Sequence, residues 1–125
     1  MRITICSSIK NASQMRELMS IFIQNQIDAL FPDLDFKIPD SGMTLEVRKE
    51  LQNNHFSKIR SSEIVYVLTP DKHIGRMVSI EIGYAKALGK RIIFSQKTDK
   101  IELDMFADDI LDVNNLLYVC KKNNT

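Results

Sequence analysis

The stretch SEIVYVLTPDKHIGRMVSIEIGYAKALGKRIIF, residues 62–94, decides the fold. Its run Ile64-Val65-Tyr66-Val67-Leu68 is continuously apolar, as expected of a central parallel strand buried on both faces. Thr69 to Gly75 is rich in turn residues and reads as the loop after that strand. A helix then follows to about Leu88, where Gly89 fits the left-handed position of a helix C-cap. Arg91-Ile92-Ile93-Phe94 is the next strand. Strand, helix and strand in this order make a βαβ unit, so the sheet is expected to be parallel.

Working outward, Ile3-Thr4-Ile5-Cys6 is a first short strand that stops at Ser7-Ser8. From Asn11 the period becomes helical, with Met15, Leu18, Met19, Phe22, Ile23, Ile27 and Leu30 on one stripe. Asn11 and Gln14 have the spacing of a capping pair, and Pro32 is expected to stop this helix. Phe36-Lys37-Ile38 reads as a second strand, closed by the turn-rich Pro39-Asp40-Ser41-Gly42. A second helix runs from about Met43 to Arg60, with Leu51, His55, Phe56 and Ile59 in its apolar arc. A short helix is expected between Asp99 and Asn115, and a last strand at Leu116-Leu117-Tyr118-Val119. The reading is a single α/β domain over residues 1–120, with 121–125 as a frayed tail. Its architecture is a flavodoxin- or Rossmann-like open parallel sheet of about five strands, with helices on both faces. Ligands of such sheets bind at the carboxyl ends of the strands.

Composition narrows the function classes. The chain has 125 residues, 44% hydrophobic and 26% charged, with a net charge of +1. That balance gives no electrostatic case for a nucleic-acid polymer or a membrane surface. No apolar run reaches the roughly 20 residues of a membrane span, and the chain opens directly on strand-like residues, so no signal peptide is expected and a cytoplasmic location is. Cys6 and Cys120 sit beside apolar strand-like segments and read as small buried hydrophobes in a reducing compartment. With only these and His55 and His73, spacing draws no zinc-type ligand cluster, and no cofactor is implied.

The chemical clue lies in the third helix. At about 100° per residue, Met77, Tyr84, Ala85 and Leu88 share one arc with Glu81 in its middle. Arg76, Ser79, Gly83, Lys86 and Lys90 form the opposite face. A carboxylate in the stripe that packs on the sheet snorkels at the stripe's edge, pairs with a nearby Lys or Arg, or serves a ligand. Its place just after the Gly75 turn favours the ligand crevice. Ser7-Ser8-Ile9-Lys10 lies between a strand end and a helix N-terminus, where free amides, hydroxyls and a lysine suit a phosphate or sugar hydroxyl. The same serines are also ordinary turn and cap residues. Asp71 and His73 stand in the loop after the central strand, where ligands are met. With Gly75, Met77 and Tyr84 they complete the candidate substrate contacts, although Met77 and Tyr84 read equally as packing residues.

Three stretches together resemble the nucleoside 2-deoxyribosyltransferase family and its nucleotide-hydrolysing relatives. ITICSSIK (3–10) is similar to the family's first strand and phosphate or sugar loop. HFSKIRSSEIVYVLTP (55–70) is similar to its helix and central strand. HIGRMVSIEIGYAKALGKRII (73–93) matches the glycine turn and the Glu-Leu/Ile-Gly-Tyr-Ala helix. The resemblance implies cleavage of an N-glycosidic bond or transfer of a deoxyribosyl group, with Glu81 attacking the anomeric carbon. It implies that Ser7, Ser8, Ile9 and Lys10 hold the 5′ end of a nucleoside or nucleotide. It also implies a homodimer or larger homo-oligomer. The chain departs from the family's usual pattern at Cys6 and Lys10, where glycine and arginine are usual. It departs again at His55, where a second catalytic aspartate is usual, and at the acidic start of the central strand, here Glu63. The alternative is a non-catalytic nucleotide-binding module on the same fold, with His55 marking lost chemistry. A nucleoside-monophosphate phosphoribohydrolase fits less well, because HIGRMVSIE lacks that class's dense glycines. A flavodoxin-like redox or signalling role has no matching flavin loop or acidic pocket.

Overall fold

The computed structural model describes residues 1–123. Five strands, β1 (Arg2–Cys6), β2 (Asp28–Leu30), β3 (Ile64–Val67), β4 (Arg91–Phe94) and β5 (Asp109–Ile110), form one sheet. They alternate with α1 (Ala12–Gln24), α2 (Leu45–Arg60), α3 (Arg76–Ala87), α4 (Ile101–Asp104) and α5 (Val113–Asn123). The strand order is β2-β1-β3-β4-β5 and every pairing is parallel. This is the flavodoxin-like order, whose switch point falls between β1 and β3. No helix among the described residues is long and apolar enough to cross a membrane.

Strand β3 shows how one apolar run serves two cores. Ile64 and Tyr66 join Ile3, Ile5, Met15, Phe22 and Leu116 on the face covered by α1 and α5. Val65 and Val67 join Cys6, Ile59, Val78, Ile82 and Phe94 on the face covered by α2 and α3. The two-residue period of a strand sends neighbours to opposite faces, and burial on both makes the run continuous.

The helix and strand around Gln24–Leu30 correct the expected boundary. Helix α1 ends at Gln24, and Ile27 and Leu30 lie beyond it. Gln26 adopts a left-handed φ of 57°. The Gln26 amide then bonds Ile23 O at 3.1 Å and the Ile27 amide bonds Phe22 O at 2.9 Å. This is a Schellman closure, and it carries its usual apolar residue just past the cap. Ile27 keeps helical spacing for that reason, which is why the stripe overruns the helix. The chain turns directly into β2, and the expected strand Phe36–Ile38 is irregular instead. Asn11 stands at the N-cap of α1 but makes no side-chain cap bond. Its amide instead donates to Ser7 Oγ at 3.0 Å.

The second correction concerns Leu116–Val119, which lie inside α5 rather than in a strand. Leu116 and Cys120, one turn apart, are buried, whereas Tyr118 is exposed. The edge strand β5 has two residues, and the Asp108 carboxylate anchors its entry by accepting from the Ile92 amide at 2.8 Å. Helix α5 takes in Lys121 and Lys122, which the sequence assigns to the tail; Asn124 and Thr125 lie outside the described residues. Helix α2 starts at Leu45 behind Thr44, whose hydroxyl caps the Val47 amide at 3.2 Å. The end of α3 is as expected: Gly89 has φ 73°, and Lys90 and Gly89 amides bond Ala85 O and Lys86 O.

Candidate active site

The carboxyl ends of β1 and β3 meet at the switch point, where Cys6 pairs with Val67. The Leu68 amide bonds Cys6 O at 3.0 Å, and Ser7 Oγ donates to Leu68 O at 2.7 Å. Ser7 is therefore spent on closing the strand ends together. Above them opens a cleft of about 1430 Å³, walled by α1, α2, α3 and the irregular segment after β2.

Glu81 lies on the α3 wall of this cleft, 7% exposed. The stripe of α3 that faces the sheet is Val78, Ile82 and Ala85. The expected arc of Met77, Tyr84 and Leu88 is half-buried or exposed. Glu81 sits on the flank of α3 turned toward α2, because α3 packs on the sheet and on α2 together. Its Oε2 accepts from Gln52 Nε2 at 3.0 Å, and its Oε1 is 3.4 Å from His55 Nε2. Its hydrogen-bond and ion-pair partners among the described residues are these two α2 side chains, so the pairing with a Lys or Arg allowed by the sequence is not the one formed.

His55 Nε2 is also 3.3 Å from Cys6 Sγ. Its Nδ1 is buried with no hydrogen-bond partner among the described residues. A neutral ring protonated at Nε2 leaves only a bare acceptor at Nδ1, whereas the other tautomer buries an unpaired N–H. Burial first, and the Glu81 carboxylate second, push the Cys6 thiol well above its usual value. It stays protonated and is a poor nucleophile. Nucleophilic character in this group therefore rests on the carboxylate.

The structure brings Ser7, Ser8, Ile9, His55, Gly75, Met77 and Glu81 to the cleft. It does not bring Lys10, Asp71, His73 or Tyr84 to its wall. Lys10 Nζ is paired with Asp71 at 2.8 Å on the exposed surface. Asp71 also accepts from the His73 amide, closing the loop on itself. Tyr84 stacks on Phe56 at 4.4 Å, and its hydroxyl accepts from Arg60 at 2.8 Å, so it fastens α3 to α2. Glu63 lies at the amino end of β3, opposite the cleft, and accepts from the Arg2 amide at 2.7 Å. Sequence reasoning missed Gln52, although its place three residues before His55 puts both on one helix face. It also missed Cys6 as a neighbour of Glu81. Arg48 and Arg76, likewise unsuspected, line the cleft as well.

No family model matches the chain, and no curated protein does. Solved structures do. A 2-deoxyribosyltransferase from Bacillus psychrosaccharolyticus superposes with a TM-score of 0.69 at 17% identity, over 94% of this chain and 90% of that one. A conserved protein from Enterococcus faecalis V583 gives 0.72 at 15% identity, over 98% of each chain. A CMP N-glycosidase from Clostridium botulinum gives 0.55 at 15% identity, over the whole of both chains. The chain, with its five-stranded parallel α/β sheet, thus shares its fold with these three solved structures.

Proposed function

We propose that the chain cleaves the N-glycosidic bond of a nucleoside or nucleotide, with Glu81 as nucleophile. The observation that carries this reading is a carboxylate buried on a cleft wall without a Lys or Arg partner among the described residues, one oxygen held by Gln52 and the other turned to His55. Two fold neighbours act on such bonds, as a deoxyribosyltransferase and a CMP N-glycosidase. In the proposed reaction a Glu81 oxygen bonds to C1′ while the C1′–N bond breaks and its electrons leave with the base. Water or a second base then attacks C1′ and frees the carboxylate. Such steps pass through an oxocarbenium-like state that a close carboxylate stabilises. His55 stands where the resembled family has its second aspartate, with its Nε2 facing the attacking oxygen at 3.4 Å. Ser8 and Ile9 offer the loop that receives the 5′ end. Both cysteines are free, as a reducing compartment would keep them, and we place the enzyme in the cytoplasm.

The test is a panel of deoxynucleosides and their monophosphates assayed for free base, with a 2-fluoro-substituted deoxynucleoside added to trap the sugar. The fluorine slows breakdown of the covalent species, so mass spectrometry should show the chain heavier by one sugar. Glu81→Ala should abolish that gain. A nucleotide-binding module without chemistry is the second reading, favoured by His55 in place of aspartate. It is the outcome if a panel member raises the melting temperature while neither free base nor adduct forms.

A further inference from the structure

Cys6, His55 and Glu81 offer a thiol, an imidazole and a carboxylate from β1, α2 and α3, all three residues buried. Their ligand atoms lie within 4.8 Å of one another. The Nε2–Oε1 separation of 3.4 Å exceeds the range of a good N–H···O bond, about 2.7–3.2 Å. One ring nitrogen with a single proton or lone pair can serve both Sγ and Oε1 only through a shared, weaker bond. Tetrahedral zinc, with bonds of about 2.0–2.2 Å to nitrogen or oxygen and about 2.3 Å to sulfur, separates N from O by roughly 3.3–3.5 Å and N from S by roughly 3.5–3.6 Å. The Nε2–Oε1 edge of 3.4 Å falls in its span, and the Nε2–Sγ edge of 3.3 Å is just short of its own. The sulfur-to-carboxylate edge is within 4.8 Å, so small side-chain shifts complete the set. We infer that this trio is a binding site for a thiophilic divalent cation, zinc foremost, with its fourth vertex open to the cleft.

Three further features fit. A thiolate and a carboxylate together balance a dication in a buried place. Gln52 holds the carboxylate oxygen Oε2, the kind of outer contact that ligating carboxylates need. Glu81 and His55 both line the cleft, so an ion can enter from it. One feature limits affinity: ligation through Nε2 places the ring proton on Nδ1, which has no acceptor among the described residues. Ligating histidines ordinarily have one. The site is therefore suited to reversible occupancy rather than to a permanent structural ion. On binding, metal–sulfur, metal–nitrogen and metal–oxygen bonds form, the thiol proton leaves to solvent, and nothing is oxidised or reduced. Resting on the proposed role of Glu81, the consequence is inhibition, because the ion occupies the attacking oxygen.

The experiment uses tag-free, metal-stripped protein carrying Cys120→Ser, so that Cys6 is the sole thiol. Zinc is titrated by calorimetry, and cobalt(II) by absorption. The expected result is one ion per chain and a thiolate-to-cobalt charge-transfer band. Cys6→Ser and His55→Gln should each weaken binding by at least the roughly 10–100-fold that loss of an outer-shell partner costs. Absence of both heat and band with excess metal overturns the site, as does binding unchanged in Cys6→Ser. Should Cys6→Ser not fold, the cobalt band in the Cys120→Ser protein decides alone. Base release is followed in parallel, and chelation should restore what zinc suppresses. Metal binding without any base release under any condition keeps the site and overturns Glu81 catalysis; base release without metal binding does the reverse.

Discussion

Gln52 and His55 face the Glu81 carboxylate from one side of α2, so replacing Glu81 separates chemistry from folding. Glu81→Gln keeps the side chain's length and an oxygen for Gln52 to bond. Stability should change by less than about 1 kcal/mol, the range of substitutions that create neither cavity nor strain. Base release should fall at least about a thousandfold, as loss of a covalent nucleophile does elsewhere. Denaturant midpoints and chromatography of the free base read the two effects. A fall of several kcal/mol with base release intact would make Glu81 a packing residue. Acid sensitivity is expected from Glu63 and Asp71. Glu63 is held below its ordinary range first by its hydrogen bond from the Arg2 amide, and Asp71 first by its hydrogen bond from Lys10. Both values are lower folded than unfolded, so their contribution is whole above the ordinary carboxylate range. It is lost as pH falls through that range toward the depressed folded values. Glu63→Gln and Asp71→Asn together should flatten the acid limb of midpoint against pH and leave the neutral region parallel to wild type. An acid limb of undiminished slope would assign it to other groups.

The boundary between α1 and β2 turns on a non-glycine residue in left-handed conformation. Gln26 bears a Cβ at φ 57°, which costs about 1–2 kcal/mol, whereas glycine adopts that geometry freely. Gln26→Gly also loosens the unfolded chain, so the net gain should be up to about 1 kcal/mol. It should appear as a higher urea midpoint at constant slope; a lower midpoint would show that the Gln26 side chain makes contacts worth more than the strain. This boundary also marks where the sequence becomes hard to read. The β3–α3–β4 unit was legible because three signals agree there: a continuous apolar run, a helical stripe and a cap glycine. In Ile27 and Leu30 the signals conflict, since a Schellman closure extends helical spacing into a strand. The edge strands β2 and β5 have three and two residues, too few for any period to show. Leu116-Leu117-Tyr118-Val119 is apolar enough for a strand, and only the burial of Cys120 one turn after Leu116 reveals the helix.

For the whole molecule, the candidate site was legible along α3 and at the end of β1, because a strand's end and the following helix place those residues at the crevice by topology. Lys10, Asp71 and His73 follow the same strand ends, yet bond to one another on the surface instead of entering the cleft. Chain order gives a loop's position but not the direction of its side chains. Gln52 and Cys6 become visible only when α2 is laid against the sheet. The cleft itself carries the last prediction. Its volume of about 1430 Å³ exceeds the roughly 300–1,000 Å³ of a small-molecule pocket. Ile9, Ile23 and Ile38 line it while 63–70% exposed. One nucleotide cannot fill that space or cover those side chains, so we expect a second copy of the chain to close the cleft. Light scattering across a concentration series should give twice the mass of the 14.4 kDa chain. Ile23→Asp, on the exposed side of α1, should cost the isolated fold no more than about 0.5 kcal/mol. It should nonetheless shift the mass toward one chain. Where base release is measured, it should raise KM more than it lowers kcat, since it removes cleft wall and leaves Glu81 in place. A monomeric wild type at every concentration would mean that the open apolar wall belongs to a larger substrate than a nucleotide.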